Sequence, residues 1–171
     1  MLLGMKHYLQ WVVLLAWLGA AAHVGAASGK LLKVLPHYLD LKGRHSLSPS
    51  LYDRDAYQAY LRDKPEERSG LRFDIQYRVA NASQPRVRVE LRAMKGGQPQ
   101  TKVLEMEVKK TTFLGRWASV AVRGEDYQHL GEISAWRVTL WDGNQLLGER
   151  KSFLWPPDPS PPAPAPPAAK P

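Results

Sequence analysis

The chain has 171 residues, room for one domain of ordinary size once two unusual ends are set aside. Its 24 Lys and Arg against 16 Asp and Glu give a formal charge of +8, which favours anionic partners without specifying one. There is no cysteine, and this excludes disulfides, thiolate nucleophiles, zinc–thiolate sites and a lipid carried on a mature N-terminal Cys.

Residues 1–26 read as a signal peptide: Lys6 precedes an apolar run from Trp11 to Ala22, and the small residues Val24, Gly25, Ala26 and Ala27 follow in the order of a signal-peptidase site. The run holds 12 residues, whereas a membrane span needs ~20. Cleavage after Ala26 is therefore expected, with export to the periplasm or the medium and no stable membrane span afterwards. The cleaved segment contains Lys6 and no acid, so the mature charge is +7.

The domain expected over 28–155 begins with a strand over 33–41 that Pro36 interrupts, which places it at a sheet edge. Ser50 then stands three residues before Asp53, with Asp55 close behind and Arg62 and Lys64 ahead of Pro65, the polarity of a capped helix over 51–62. Helical spacing gathers Tyr52, Ala56, Ala59 and Tyr60 on one face, expected to pack on the sheets, and Arg54, Asp55, Gln58 and Arg62 on the other. Over 71–79 every odd position is apolar and every even one polar, the pattern of a strand buried on one face. The alternation resumes over 86–93, and Lys95-Gly96-Gly97-Gln98-Pro99 supplies a turn. A strand over 101–108 loses its phase at Val103-Leu104, as a bulge would cause, and 116–122 gives the next. The stretch after Gly124 reads as a helical turn closed by Gly131. The last two strands, 133–141 and 145–154, are joined by Asp142-Gly143-Asn144, a hairpin signal.

Nine of the 14 prolines fall in 156–171. Lacking donors and with φ fixed, this tail is expected to be extended or disordered, acting as a tether, a ligand for a proline-binding partner or a solubilising segment.

Seven short strands with regular turns, ending in a Trp-containing hairpin, predict an all-β, immunoglobulin-like two-sheet sandwich with one helix inserted between the first and second strands. Over roughly 32–155 the pattern resembles the fibronectin type III and immunoglobulin-like domains of exported bacterial proteins. It departs from antibody-type domains in having no Cys pair and in its extra helix. No diagnostic motif accompanies the resemblance, so it assigns no functional residues.

For chemistry, H-E-x-x-H, G-x-S-x-G, a P-loop and a dinucleotide-binding glycine pattern are all absent from the chain. After cleavage His37, His45 and His129 remain, and a metal held by His37 and His45 would need a third ligand from the fold; neither metal nor cofactor is expected. The basic strands offer more. With odd positions inward, Arg72, Arg78, Arg86, Arg88 and Arg92 point outward, accompanied by Asp74, Gln76 and Glu90. Guanidinium groups grip carboxylate, sulfate or phosphate, so such a face suits an anionic glycan, a lipid headgroup or an acidic protein. The plain alternative is a solvated face of cross-strand ion pairs. An immunoglobulin-like strand order would also put the second and third strands in opposite sheets and divide the patch. Tyr52, Tyr57 and Tyr60 are candidates to line a groove, although aromatic residues at this spacing also serve packing. Trp117, Trp136, Trp141 and Trp155 are further candidates: Trp136 is inward by phase, Trp141, out of phase with it and beside the Asp142 turn, is a candidate to stack on a sugar ring, and a satellite cluster closed by Trp155 is the alternative.

These observations lead to an exported, non-enzymatic binding or structural module of the envelope or the secreted fraction, its partner an envelope protein or an anionic polymer. The alternative is a small carbohydrate-active or hydrolytic enzyme with a site between helix and sheet. Nucleic acid is disfavoured by export and by the lack of an RNA-binding or helix-turn-helix pattern.

Overall fold

A computed structural model describes residues 25–111 and 114–157. The apolar run of the expected signal peptide and the tail beyond Pro157 lie outside the described residues. Seven strands form two antiparallel sheets: β1 (Ser28–Asp40), β2 (Arg68–Ala80) and β5 (Arg116–Arg123) in one, and β4 (Gln98–Glu107), β3 (Pro85–Lys95), β6 (Glu132–Asp142) and β7 (Gln145–Lys151), in that order, in the other. Helix α1 (Leu51–Asp63) and a 3-10 turn (Pro65–Glu67) lie between β1 and β2, and helix α2 (Gly124–Leu130) connects β5 to β6. The protein is thus a two-sheet sandwich with an inserted helix.

Alternation builds the core. Leu71, Phe73, Ile75, Tyr77 and Val79 of β2 are buried together with Val87, Val89, Leu91 and Ala93 of β3, and Val120, Val122, Val138 and Leu140 complete the layer. Each large aliphatic or aromatic side chain withdrawn from water contributes about 1.5–3 kcal/mol, so the sandwich has a substantial hydrophobic drive without a disulfide. Pro36 stands on β1, an outer strand, where a missing N–H need not break a ladder. Gly131 follows α2 at φ 76, and a Cβ there would lie 2.4 Å from the Met94 carbonyl oxygen, so the helix stop requires glycine.

Three expectations need correction. The β3–β4 register runs unbroken, and Val103 is an apolar side chain on the solvent face, so the blurred phase is not a bulge. The last strand ends at Lys151, short of the expected 154, and the chain turns through Ser152, whose N–H and Oγ bond to the main chain of Trp136. Helix α1 starts and stops close to expectation, with Ser50 accepting from the Asp53 N–H, but it is rotated. Its buried residues are Gln58 and Leu61, while Tyr52, Ala56, Ala59 and Tyr60 are exposed.

Hydrogen bonds explain that rotation. Oε1 of Gln58 accepts from the Tyr38 N–H at 2.7 Å, and its Nε2 donates to the Tyr38 and His45 carbonyls at 3.0 and 2.8 Å. Tyr57 donates its hydroxyl to Asp40 at 2.9 Å. The buried Arg68 donates to the Leu61 and Arg62 carbonyls at the helix C-terminus and stacks its guanidinium 4.1 Å from the Tyr38 ring centroid. A partner that offers free backbone groups is better met by an amide and a phenol than by alanine, because buried unpaired polar groups are costly.

Candidate functional site

The five arginines do not share a surface. Since β2 and β3 belong to opposite sheets, Arg72 and Arg78 lie on the outer face of the three-stranded sheet and Arg86, Arg88 and Arg92 on that of the four-stranded sheet.

The four-stranded face balances its charge. Arg88 pairs with Glu105 and lies 5.6 Å from the Trp141 ring centroid, and Arg137 pairs with Glu90 at 2.9 Å. Arg86 stands in register between Glu107 and Trp141. Trp141 is half-buried, its indole N–H donating to the Thr139 hydroxyl at 2.8 Å, so it is not the projecting aromatic its phase predicts. Arg92 and Arg137 stand 4.7 and 5.0 Å from the ring centroid of Trp155, which folds back over this face. Ion pairs and cation–π contacts here engage Arg88, Arg92 and Arg137 within the domain, whereas Arg86 forms no ion pair among the described residues.

The three-stranded face is different. Arg72 is held in a fork by Asp74 at 2.9 and 2.8 Å, and Ser119 also donates to that carboxylate. These bonds outweigh the effect of burial, which alone would raise the Asp74 pKa, and leave it below the ordinary carboxylate range. Further along, Lys30 stands directly opposite Arg78, and Lys33 opposite Gln76, which in turn faces Trp117 of β5. Among the described residues no ion pair neutralises Lys30, Lys33 or Arg78. Trp117 is 52% exposed and also walls an open cleft of about 420 Å³ with Lys109, Arg116 and Glu107. Like charges directly across a strand pair are destabilising, so the Lys30–Arg78 juxtaposition is a local cost that an anion would relieve. Lys30 escapes notice in the sequence because β1 begins at Ser28, ahead of the expected strand over 33–41, and Lys33 because it stands at the very start of that expected strand. A register irregularity between Leu31 and Lys33 lets both lysines face outward three positions apart, which strict alternation forbids.

The tyrosines do not form a groove. Tyr57 and Tyr60 stack with ring centroids 6.1 Å apart, Tyr60 donates to Glu67, and Tyr52 is 82% exposed. A cavity of about 540 Å³ does lie between α1 and the sandwich, lined by Leu35, His37, Arg54, Asp55, Arg62 and Trp136 among others, with none of the three tyrosines in its wall. Both serines that line it are committed to the main chain: Ser134 donates to the Arg92 carbonyl at 3.3 Å, and Ser152 accepts from the Trp136 N–H at 3.0 Å. His37 is buried with Nδ1 3.3 Å from Asp74, outside hydrogen-bond geometry, and its ring centroid is 5.3 Å from that of His45. Among the described residues no three His, Asp or Glu converge in a metal-binding group, and no helix is long and apolar enough to cross a membrane.

Neither the protein-family models nor the curated proteins include a match to this chain.

Proposed function

We propose that the chain is an exported, non-enzymatic binding module of the cell envelope or secreted fraction, and that the outer face of its three-stranded sheet holds an anionic glycan. The observation that carries this reading is the exposed Trp117 set beside Lys30, Lys33 and Arg78, a cationic group that no ion pair neutralises among the described residues. A flat indole receives the apolar face of a sugar ring, and ammonium and guanidinium groups receive its carboxylate, sulfate or phosphate substituents. The placement of the second and third strands in opposite sheets supports the resemblance to fibronectin type III and immunoglobulin-like domains. The proline-rich tail serves as a tether.

The hydrolase alternative requires a nucleophile or paired acids beneath α1, where the cavity wall offers His37 and the single acid Asp55, which pairs with Arg54 at 3.2 Å, and the two lining serines are bonded to backbone. The binding reading is therefore preferred.

Heparin affinity at low salt tests it. Lys33→Gln/Arg78→Gln should elute at markedly lower salt than the parent, and Trp117→Ala should weaken binding to heparin oligosaccharides while leaving binding to anionic vesicles unchanged. Equal elution of all variants would assign the interaction to overall charge and overturn the site. Loss of vesicle binding in step with glycan binding would identify a lipid headgroup as the ligand.

A further inference from the structure

Apart from the buried Leu61, helix α1 turns its apolar residues outward. Tyr52 and Tyr60 are 82% and 42% exposed, Ala56 and Ala59 lie between them, and the inner face is occupied by Gln58, Leu61 and hydrogen bonds to β1 and Arg68. An amphipathic helix that is held to its own domain by polar groups has its apolar face available for another helix.

The charges on this face indicate which helix. Asp53 and Asp55 flank Arg54 in the first turns, with the Arg54 guanidinium 3.2 Å from Asp55, and Arg62 and Lys64 flank Asp63 at the end; the start is thus net negative and the end net positive, so the helix is complementary to an antiparallel copy of itself. Under a two-fold axis crossing the middle of the helix, Asp55 faces Arg62 of the other copy, and Ala56 faces Ala59. Tyr52 faces Asp63. All of these pairs centre within about one residue of the same point, which one rotation axis demands. On a helical wheel Asp55 and Arg62 share one flank of the exposed stripe, and a two-fold axis perpendicular to antiparallel helices brings like flanks together. A parallel arrangement would set Asp55 against Asp55 and Arg62 against Arg62.

We propose that helix α1 is the interface of a two-fold symmetric dimer of this chain, two copies packing antiparallel through Tyr52, Ala56 and Ala59 with reciprocal Asp55–Arg62 pairs at the flanks. The small alanines let the helix axes approach closely, and each pair occurs twice per dimer. One helix from each partner buries little surface by the standard of stable complexes, so a weak dimer with a dissociation constant of order micromolar follows. Dimerisation would place two cationic sheet faces on one particle and strengthen binding to a repeating polymer, although the interface does not depend on that binding.

Sedimentation equilibrium of the full chain over a micromolar range tests the proposal. The parent should show a monomer–dimer equilibrium, and Asp55→Arg or Arg62→Asp alone should weaken it roughly tenfold or more, since each removes two ion pairs and creates two like-charge contacts. The double variant D55R/R62D should restore it. Because the chain has no cysteine, a second readout is direct: an oxidised mixture of Ala56→Cys and Ala59→Cys chains of different mass should yield the mixed disulfide ahead of either symmetric one. A parent that stays monomeric throughout, or single variants that dimerise like the parent, would overturn the proposal, as would cross-linking without preference for the mixed product. Circular dichroism melts of each variant distinguish a lost interface from a lost fold.

Discussion

Gln58 pairs its side-chain amide with both main-chain groups of Tyr38, accepting from the N–H at 2.7 Å and donating to the carbonyl at 3.0 Å. The carboxamide thereby imitates one rung of a neighbouring strand on the free edge of β1. Exposed strand edges invite pairing with other chains, and here a helix side chain blunts the edge without a further strand.

Replacing that amide should unseat the helix. Gln58→Leu keeps most of the volume but leaves the Tyr38 N–H and the Tyr38 and His45 carbonyls without this partner, and a loss of about 2–3 kcal/mol is expected from groups that lose their bonds while buried. Urea denaturation measures it. A loss below about 0.5 kcal/mol would mean that water takes over these groups and that Leu61 alone seats the helix.

Arg68 is the second anchor, and two substitutions separate its roles. Its guanidinium caps the helix through the Leu61 and Arg62 carbonyls and also meets Glu132 at 3.3 Å. The Glu132 side chain is 64% exposed, so Glu132→Gln should change stability by less than about 1 kcal/mol. Arg68→Lys keeps the charge but loses the planar fork, and a loss of about 2–4 kcal/mol in denaturant melts is expected. Equal effects from the two substitutions would show that the ion pair, and not the cap, holds the residue.

Acidification should weaken the fold in two steps. Burial is the main cause that lowers the His37 pKa below 6.5; Asp74 opposes it, while His45 and Arg54 add to it. His45 is lowered in the same sense by burial, with Arg72 and Arg54 assisting against Asp74. Above 6.5 both states are neutral and the stability is complete. As pH falls through 6.5 the unfolded chain takes up protons first, so stability declines until the folded values are reached. Burial alone would raise the Asp40 carboxyl, but donors from Arg44, Tyr57 and Lys42 outweigh it, and Asp74 is likewise lowered. Their contribution, present above 3.8, is lost as pH drops below that value through the folded values. Urea midpoints from pH 7.5 to 3 should therefore show a decline below about 6.5 and a steeper one below about 4. His37→Asn should reduce the first decline and leave the second; an unchanged slope in that variant would exclude His37 as its source.

The sandwich was legible because a strand buried on one face must alternate: Phe73, Ile75, Val87 and Val89 carry that pattern in sequence and in the core alike. Helix α1 was legible in its limits and not in its orientation, for its caps are local signals whereas its buried face is set by the free backbone of Tyr38, a non-local partner. The arginines occupy the positions of their strands opposite to the buried ones, yet whether they share a surface depends on strand order, which alternation does not encode. Lys30 and Lys33 stayed hidden behind a local register irregularity, and Trp117 behind the lack of any sign that cations would gather beside it.

Trp155 yields the last prediction, because it lies beyond the final strand and yet is only 8% exposed. The chain turns at Ser152, whose carbonyl accepts from the Trp155 N–H at 3.1 Å, and the indole settles beside Arg92 and Arg137 on the outer face of the four-stranded sheet. Pro156 and Pro157 then border a groove of about 370 Å³ with Thr101 and Val103. Removing a buried Trp side chain costs about 3–5 kcal/mol in a core and somewhat less on a sheet face that water can reach after its loss. A chain ending at Pro157 should thus melt within about 2 °C of the full chain, while one ending at Leu154 should melt roughly 10 °C or more lower, as about 2–3 kcal/mol implies for a domain of this size. Thermal melts of the two truncations decide the matter. If they melt together, Trp155 contributes no stability and the proline-rich segment is tethered to the sandwich only through β7.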